Sequence, residues 1–187
     1  VDAKASTPEW MKRRLERSGI RAISALVDVT NYVMLELGQP LHAFDNTRLE
    51  GAVHARLAKP EEKLRLLNEQ TIAVDADVLM IADDAKPLAM AGIMGGDATA
   101  VSDDTRNIYI EAAFWWPKAV AGRSRRFNFS TDAGHRFERG VDPQQTTAAL
   151  EYITRLVLDI CGGQAGPVTD QQPNMPAKQP VVLRVAR

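Results

Sequence analysis

From Val53 to Phe114 the apolar residues come in short runs, Val53 to Ala58, Val78 to Ala82, Leu88 to Ala91 and Asn107 to Phe114, broken by Asp, Asn, Gly and Pro. Runs of that length bounded by turn residues read as strands, and Asp83-Asp84-Ala85-Lys86-Pro87 reads as the turn of a hairpin. On either side the period changes. Leu26, Val27, Thr30, Val33, Met34 and Leu37 recur at helical spacing, and Gly38 with Pro40 ends that pattern, leaving His42 in an extended or looped segment just past the helix. Thr7-Pro8 followed by Gly19 predicts a short basic helix over 8–18, a capping hydroxyl with proline at the first helical position. Pro117 predicts a helix to about Arg126. Asp142-Pro143 is expected to open the longest helix, with Leu150, Ile153, Val157 and Ile160 as its buried stripe and Gly162 as its stop. Helices at both ends around mainly antiparallel or mixed sheets make an α+β arrangement.

With 187 residues, 45% of them hydrophobic, the chain can bury a sizeable core. A formal charge of −1 excludes a protein that coats nucleic acid by bulk electrostatics, so any RNA contact must come from a local cluster of Arg and Lys. The single cysteine, Cys161, sits in an apolar helical run without a disulfide partner, which suits a reducing cytosol. No apolar run is long enough to cross a membrane and the N-terminus lacks the order of a signal peptide, so a cytoplasmic location is expected. The chain lacks an initiator Met, and Val181 to Arg187 reads like the opening of another strand. The expected organisation is therefore a piece of a longer protein: a linker and helix over 1–20, one domain over 21–170, and a Pro- and Gln-rich linker with the start of a further domain over 171–187.

The stretch from Ser130 to Pro143, STDAGHRFERGVDP, sets hydroxyl, carboxylate, imidazole and guanidinium groups around glycines ahead of the long helix. It is either a solvated helix-entry loop or part of a site, and the residues leave both open. No Gly-x-Ser-x-Gly elbow surrounds a serine, no histidine or cysteine pair has metal-ligand spacing, and no Gly-Lys-Ser/Thr follows Gly92-Ile93-Met94-Gly95-Gly96. Covalent, metal-assisted and phosphate-loop chemistry are therefore unsupported. The glycine run is either a tight strand turn or a place where backbone N–H groups approach a substrate closely. Alternation over Asn107 to Phe114 puts Ile108, Ile110, Ala112 and Phe114 on one face and Tyr109, Glu111 and Ala113 on the other. Glu111 reads from this as a solvated carboxylate, because Glu is rarely buried unless paired. His42 reads as a structural histidine at a helix end or as a catalytic one.

Val27-Asp28-Val29-Thr30-Asn31-Tyr32-Val33 runs into Leu37-Gly38-Gln39-Pro40-Leu41-His42-Ala43-Phe44-Asp45, and after it come Ala91 to Gly96, Ile110-Glu111-Ala112-Ala113-Phe114, the Ser130 to Pro143 stretch and Asp159-Ile160-Cys161-Gly162-Gly163. In that order and at these separations, from about Arg21 to Asp170, they resemble the B3/B4 region of the bacterial phenylalanyl-tRNA synthetase beta subunit, which carries that enzyme's editing site. The resemblance implies a B3/B4-like fold and hydrolysis of misacylated Tyr-tRNA(Phe). It implies no cofactor in this domain, ATP and magnesium belonging to the synthetic site of the parent enzyme. His42 and Thr131 are implied as catalytic, and Glu111, Gly95, Ala133 and Arg21 as substrate-binding, with Glu111 recognising the tyrosine hydroxyl. Arg125, Arg126, His135, Arg136 and Arg139 are candidate contacts to the terminal phosphates, with ion pairing to Asp132, Glu138 and Asp142 as the alternative. The implied partners are the 3′ end of tRNA(Phe) and the alpha subunit of the parent heterotetramer. An aminoacyl ester is already reactive, so such a site needs to orient water more than to activate it. Two other readings stay open: a noncatalytic RNA-binding or assembly module, and a free-standing aminoacyl-tRNA hydrolase.

Overall fold

The computed structural model describes residues 1–177 together with 180, 182 and 183. The expected strand opening at Val181 to Arg187 lies outside the described residues except for Val182 and Leu183, which belong to no strand.

Helix α1 spans Glu9–Arg17 and buries Met11 and Leu15. Its N-terminus differs from expectation: Pro8 is the cap residue and makes no side-chain cap, while the Thr7 hydroxyl donates to Asp28 Oδ2 at 2.6 Å. Asp28 is buried and its other oxygen accepts from Ile23 N–H at 2.8 Å, so one carboxylate ties the start of α1 to the start of α2, Ala25–Leu37. Thr7 therefore serves a tertiary bond, worth more in a buried setting than an exposed cap. At the far end of α1, Gly19 at φ 82° lets Ile20 N–H reach Leu15 O and Gly19 N–H reach Glu16 O, a left-handed helix stop.

After α2 the chain turns at Gly38 into strand β1, Leu41–Asp45, which pairs antiparallel with a strand far along the sequence, Ile108–Ala112. Between them in sequence lie β2 (His54–Leu57), β3 (Lys63–Arg65), β4 (Thr71–Ala73), β5 (Leu79–Ala82), β6 (Pro87–Met90) and β7 (Met94–Gly95), so Ile108–Ala112 is β8. Strands β2-β5-β6-β7 form one antiparallel sheet, and β3-β4 a separate hairpin that the sequence pattern did not reveal. The β5–β6 hairpin turns where expected, because the Asp83 carboxylate accepts N–H bonds from Ala85 and Lys86 at 2.9 and 2.8 Å. The helix expected from Pro117 to Arg126 is a single turn, α3 (Pro117–Val120), because Gly122 at φ 76° reverses the chain before a 3₁₀ turn at Ser124–Phe127. Helix α4, Asp132–Phe137, was not foreseen inside the polar stretch.

The long helix α5 runs Thr146–Cys161 and does not start at Asp142, whose Oδ1 accepts from Gln144 N–H to close a turn around Pro143. Its buried stripe is Ala149, Ile153, Val157 and Cys161; Leu150 and Ile160 are rotated to its flanks and only partly buried. That i, i+4 stripe packs with α1 and α2 in a helical layer that Leu41, Ile108 and Ile110 of the β1–β8 ribbon cover from the other side. The opposite face of the ribbon turns Phe44 toward Ile81, Leu88 and Ala89 of the β-layer. The ribbon is thus the seam between two cores, and it is clamped at both ends. The Gln39 amide bridges Pro40 O and Ala113 O, while Asp45 accepts from the Thr47 and Thr105 hydroxyls at 2.6 and 2.7 Å.

Candidate active site

His42 and Glu111 are register partners across β1 and β8. Directly opposed residues of an antiparallel pair point to the same face with Cβ atoms about 5 Å apart. Both side chains line one cavity of about 60 Å³, whose wall is shared by Ile81, Met90, Met94, Gly95, Ala133 and Phe137. His42 Nε2 and Glu111 Oε2 are buried without a hydrogen-bond partner in the protein. Native structures rarely leave such atoms unpaired, and the exceptions concentrate where a ligand or reaction needs them. Burial alone pushes the Glu111 carboxyl up from 4.5 to about 8 and the His42 imidazole down from 6.5 to about 4. The solvated carboxylate expected from strand alternation is therefore corrected. On the face opposite Ile110, Tyr109 stays exposed, but the Glu111 Oε2 is turned into the cavity beside the second core.

The glycines shape this wall. A Cβ on Gly95 would stand 2.7 Å from His42 Nε2, so the imidazole packs where any other residue would carry a side chain. Gly92, at φ 67°, brings its backbone against Trp115 and Phe137, where a Cβ would come within 2.7 and 2.9 Å. Phe44 holds the other side of the imidazole edge-to-face, ring centres 4.3 Å apart.

Thr131 is the cap residue of α4. Its hydroxyl accepts from Gly134 N–H at 3.0 Å and donates to Ile93 O at 2.8 Å, which ties α4 to the β6–β7 turn and presents Ala133 and Phe137 to the cavity. A hydroxyl has one proton to donate, and this one is committed. Thr131 is not on the cavity wall. Arg21 also stands off it, exposed between α1 and α2.

The arginines offered as phosphate contacts, two before the polar stretch and two within it, take the ion-paired arrangement. Arg125 and Arg139 meet Glu138 at 3.4 and 2.8 Å, and Arg136 meets Asp132 at 3.3 Å. Arg126 grips Asp77 with two bonds of 2.6 and 2.9 Å, a partner that sequence distance concealed. Asp142 takes no part, being occupied at its turn. His135 is exposed on α4. Wall residues missed from the sequence include Ile81, Ala89, Met90 and Phe137. The spacing of Ala133 and Phe137, one helical turn apart, is the one signal that could have found Phe137. Cys161 is in the helical core with its thiol pushed up by burial. No group of His, Cys, Asp or Glu with metal-site geometry occurs among the described residues. None of their helices is long and apolar enough to cross a membrane.

The site is thus a glycine-walled cavity between a two-stranded ribbon and a β-layer, holding one imidazole and one carboxyl. The model of the B3/4 domain family matches residues 1–162, and the chain belongs to that family. Along its whole length it is 72% identical to the phenylalanine–tRNA ligase beta subunit of Dechloromonas aromatica (strain RCB) and 58% identical to that of Ralstonia nicotianae. It spans about a quarter of those relatives, 24% and 23% of their lengths. An N-terminal fragment of the phenylalanyl-tRNA synthetase beta subunit from Pyrococcus horikoshii aligns over 63% of the chain and 39% of its own, at 14% identity and a TM-score of 0.42, too slight a likeness to argue from.

Proposed function

We propose that this B3/4 domain hydrolyses tyrosine from misacylated tRNA(Phe) as the editing region of a phenylalanine–tRNA ligase beta subunit, working beside an alpha subunit in the cytoplasm and without a cofactor of its own. The observation that carries the proposal is the His42–Glu111 pair, whose buried and unpartnered Nε2 and Oε2 atoms share one cavity. Glu111 recognises the phenol. A synthetic site shaped for phenylalanine rejects an added hydroxyl weakly, whereas a second site built to hydrogen-bond that hydroxyl discriminates well, because phenylalanine leaves its polar group unpaired. His42, neutral at physiological pH, holds water or the terminal ribose at the ester, and Gly95 sets the ring's position. Ala133 leaves room for the aromatic ring, and Thr131 acts as a positioning residue through the α4 cap. A cavity of about 60 Å³ has room for a few waters, so an aromatic ring enters with movement of the Met90 and Met94 side chains, whose thioethers adapt easily.

The test is incubation of the chain with preformed Tyr-tRNA(Phe) and Phe-tRNA(Phe). Faster release of tyrosine than of phenylalanine is expected. Binding of both without release of either would make the chain an RNA-binding or assembly module instead.

A further inference from the structure

The arginines just before and within the polar stretch are compensated by Glu138, Asp77 and Asp132. A second cluster is not. Residues 9–21 hold Lys12, Arg13, Arg14, Arg17 and Arg21 against Glu9 and Glu16, a net charge of +3 in a chain whose formal charge is −1. Burial of Met11 and Leu15 fixes how α1 sits, so Trp10, Arg13, Arg14 and Arg17, spaced i, i+3, i+4 and i+7, share its outer face. The Arg14 guanidinium lies over the Trp10 and Tyr32 rings at 5.4 and 5.9 Å and donates to the Tyr32 hydroxyl at 2.6 Å, while Trp10 stays 40% exposed. Arg13, Arg17 and Arg21 are exposed, and none is within ion-pair distance of a carboxylate among the described residues.

We propose that the outer face of α1, together with the exposed Arg21 that follows the helix in sequence, is a docking surface for the phosphodiester backbone of RNA. Unpaired guanidinium forks match phosphate oxygens two bonds at a time and need not abandon a carboxylate to do so. Arg13 and Arg17 stand about one helical turn apart, roughly 6 Å along the axis, which presents them as a row. Trp10 adds a flat face on which a base can stack. Beyond that ring the face offers charge and little apolar area, the composition of a backbone grip and not of a dry protein interface. The proposal rests on the editing reading only in taking RNA as the polyanion, and its test needs no hydrolysis.

The experiment is equilibrium binding of the 187-residue chain to deacylated tRNA across a salt series, for the parent sequence and for Arg13→Gln/Arg17→Gln/Arg21→Gln. The dependence of log K on log salt is expected to flatten by about 2–3 in the triple variant, since each lost phosphate contact removes about 0.7–0.9. Its melting temperature should hold, because the three side chains bury nothing. Absence of binding by the parent chain at low salt overturns the proposal, as does an unchanged slope in the variant. A larger loss from Arg125→Gln/Arg126→Gln/Arg136→Gln returns the RNA contact to the polar stretch. Competition by polyglutamate as strong as by tRNA at equal charge assigns the face to an acidic protein.

Discussion

Glu111 and His42 are both uncharged at neutral pH, for the same reason: burial with no opposite charge on the cavity wall. For Glu111 the folded pKa, about 8, lies above the unfolded value of 4.5. The folded chain holds a proton that the unfolded chain releases, so the stability this supports is full below pH 4.5 and is lost as pH rises to about 8. Glu111→Gln keeps the shape and removes the titration. Urea unfolding at pH 4.5 and pH 8 should find the two proteins alike at the lower pH and the variant more stable by roughly 2–4 kcal/mol at the higher one. For His42 the sign differs: its folded pKa is depressed, so its contribution is present above pH 6.5 and lost as pH falls through about 4. Single-turnover release of tyrosine should accordingly show its acid limb near pH 4 and no inflection near 6.5. The same neutrality separates two Glu111 variants. Glu111→Ala should lower tyrosine-over-phenylalanine discrimination about ten- to a hundred-fold, while Glu111→Gln, which still offers a neutral donor, retains most of it. Equal losses would mean that the ionised carboxylate is the form that recognises the phenol.

At the scale of elements, β7 is two residues long and yet fixes the imidazole, because Gly95 lies against it. Gly95→Ala should displace the ring and lower tyrosine release by about 10²-fold, the usual effect of misplacing a reacting group by about an ångström. Its stability cost should reach about 1–3 kcal/mol, since the methyl meets the imidazole held against Phe44 and only the Leu67 side chain, at 3.3 Å, gives easily. Gly92→Ala, by contrast, meets a left-handed backbone, the buried Phe137 ring and the partly buried Trp115 ring, so circular dichroism melts should show the larger loss of the two. The elements that the sequence disclosed are those whose pattern is local. Gly38 ends α2, Gly162 ends α5, and Asp83 closes the β5–β6 turn by bonds to its own neighbours. Those it concealed are short or defined by distant partners. Strands β3 and β4 have three residues each, and α4 is held by a Thr131 bond to Ile93, 38 residues away. Thr7 looked like a cap because nothing near it in sequence announces Asp28.

Across the whole molecule, the site lies at the seam between two cores, and its chemistry was less legible than its parts. Composition and spacing excluded a nucleophile elbow and a phosphate loop, and resemblance supplied His42, Glu111, Gly95 and Ala133, which line one cavity. Burial of Glu111 could not be read, because alternation tells which face a residue takes and not what covers that face. Thr131 and Arg21 came from the same resemblance and stand off the wall. This division of labour gives a last prediction. The helical layer is packed on the ribbon face opposite His42 and Glu111, so weakening it should change how much protein is folded without changing what the folded site prefers. Ile153 is fully buried at the centre of α5's stripe, and Ile153→Ala should cost about 2–5 kcal/mol. Total tyrosine release should then fall in step with the folded fraction measured by circular dichroism at the same temperature, while the ratio of tyrosine to phenylalanine release stays at the parent value. A ratio that drifts with stability would show that the helical layer tunes the cavity through the ribbon, and that the two cores are one mechanical unit.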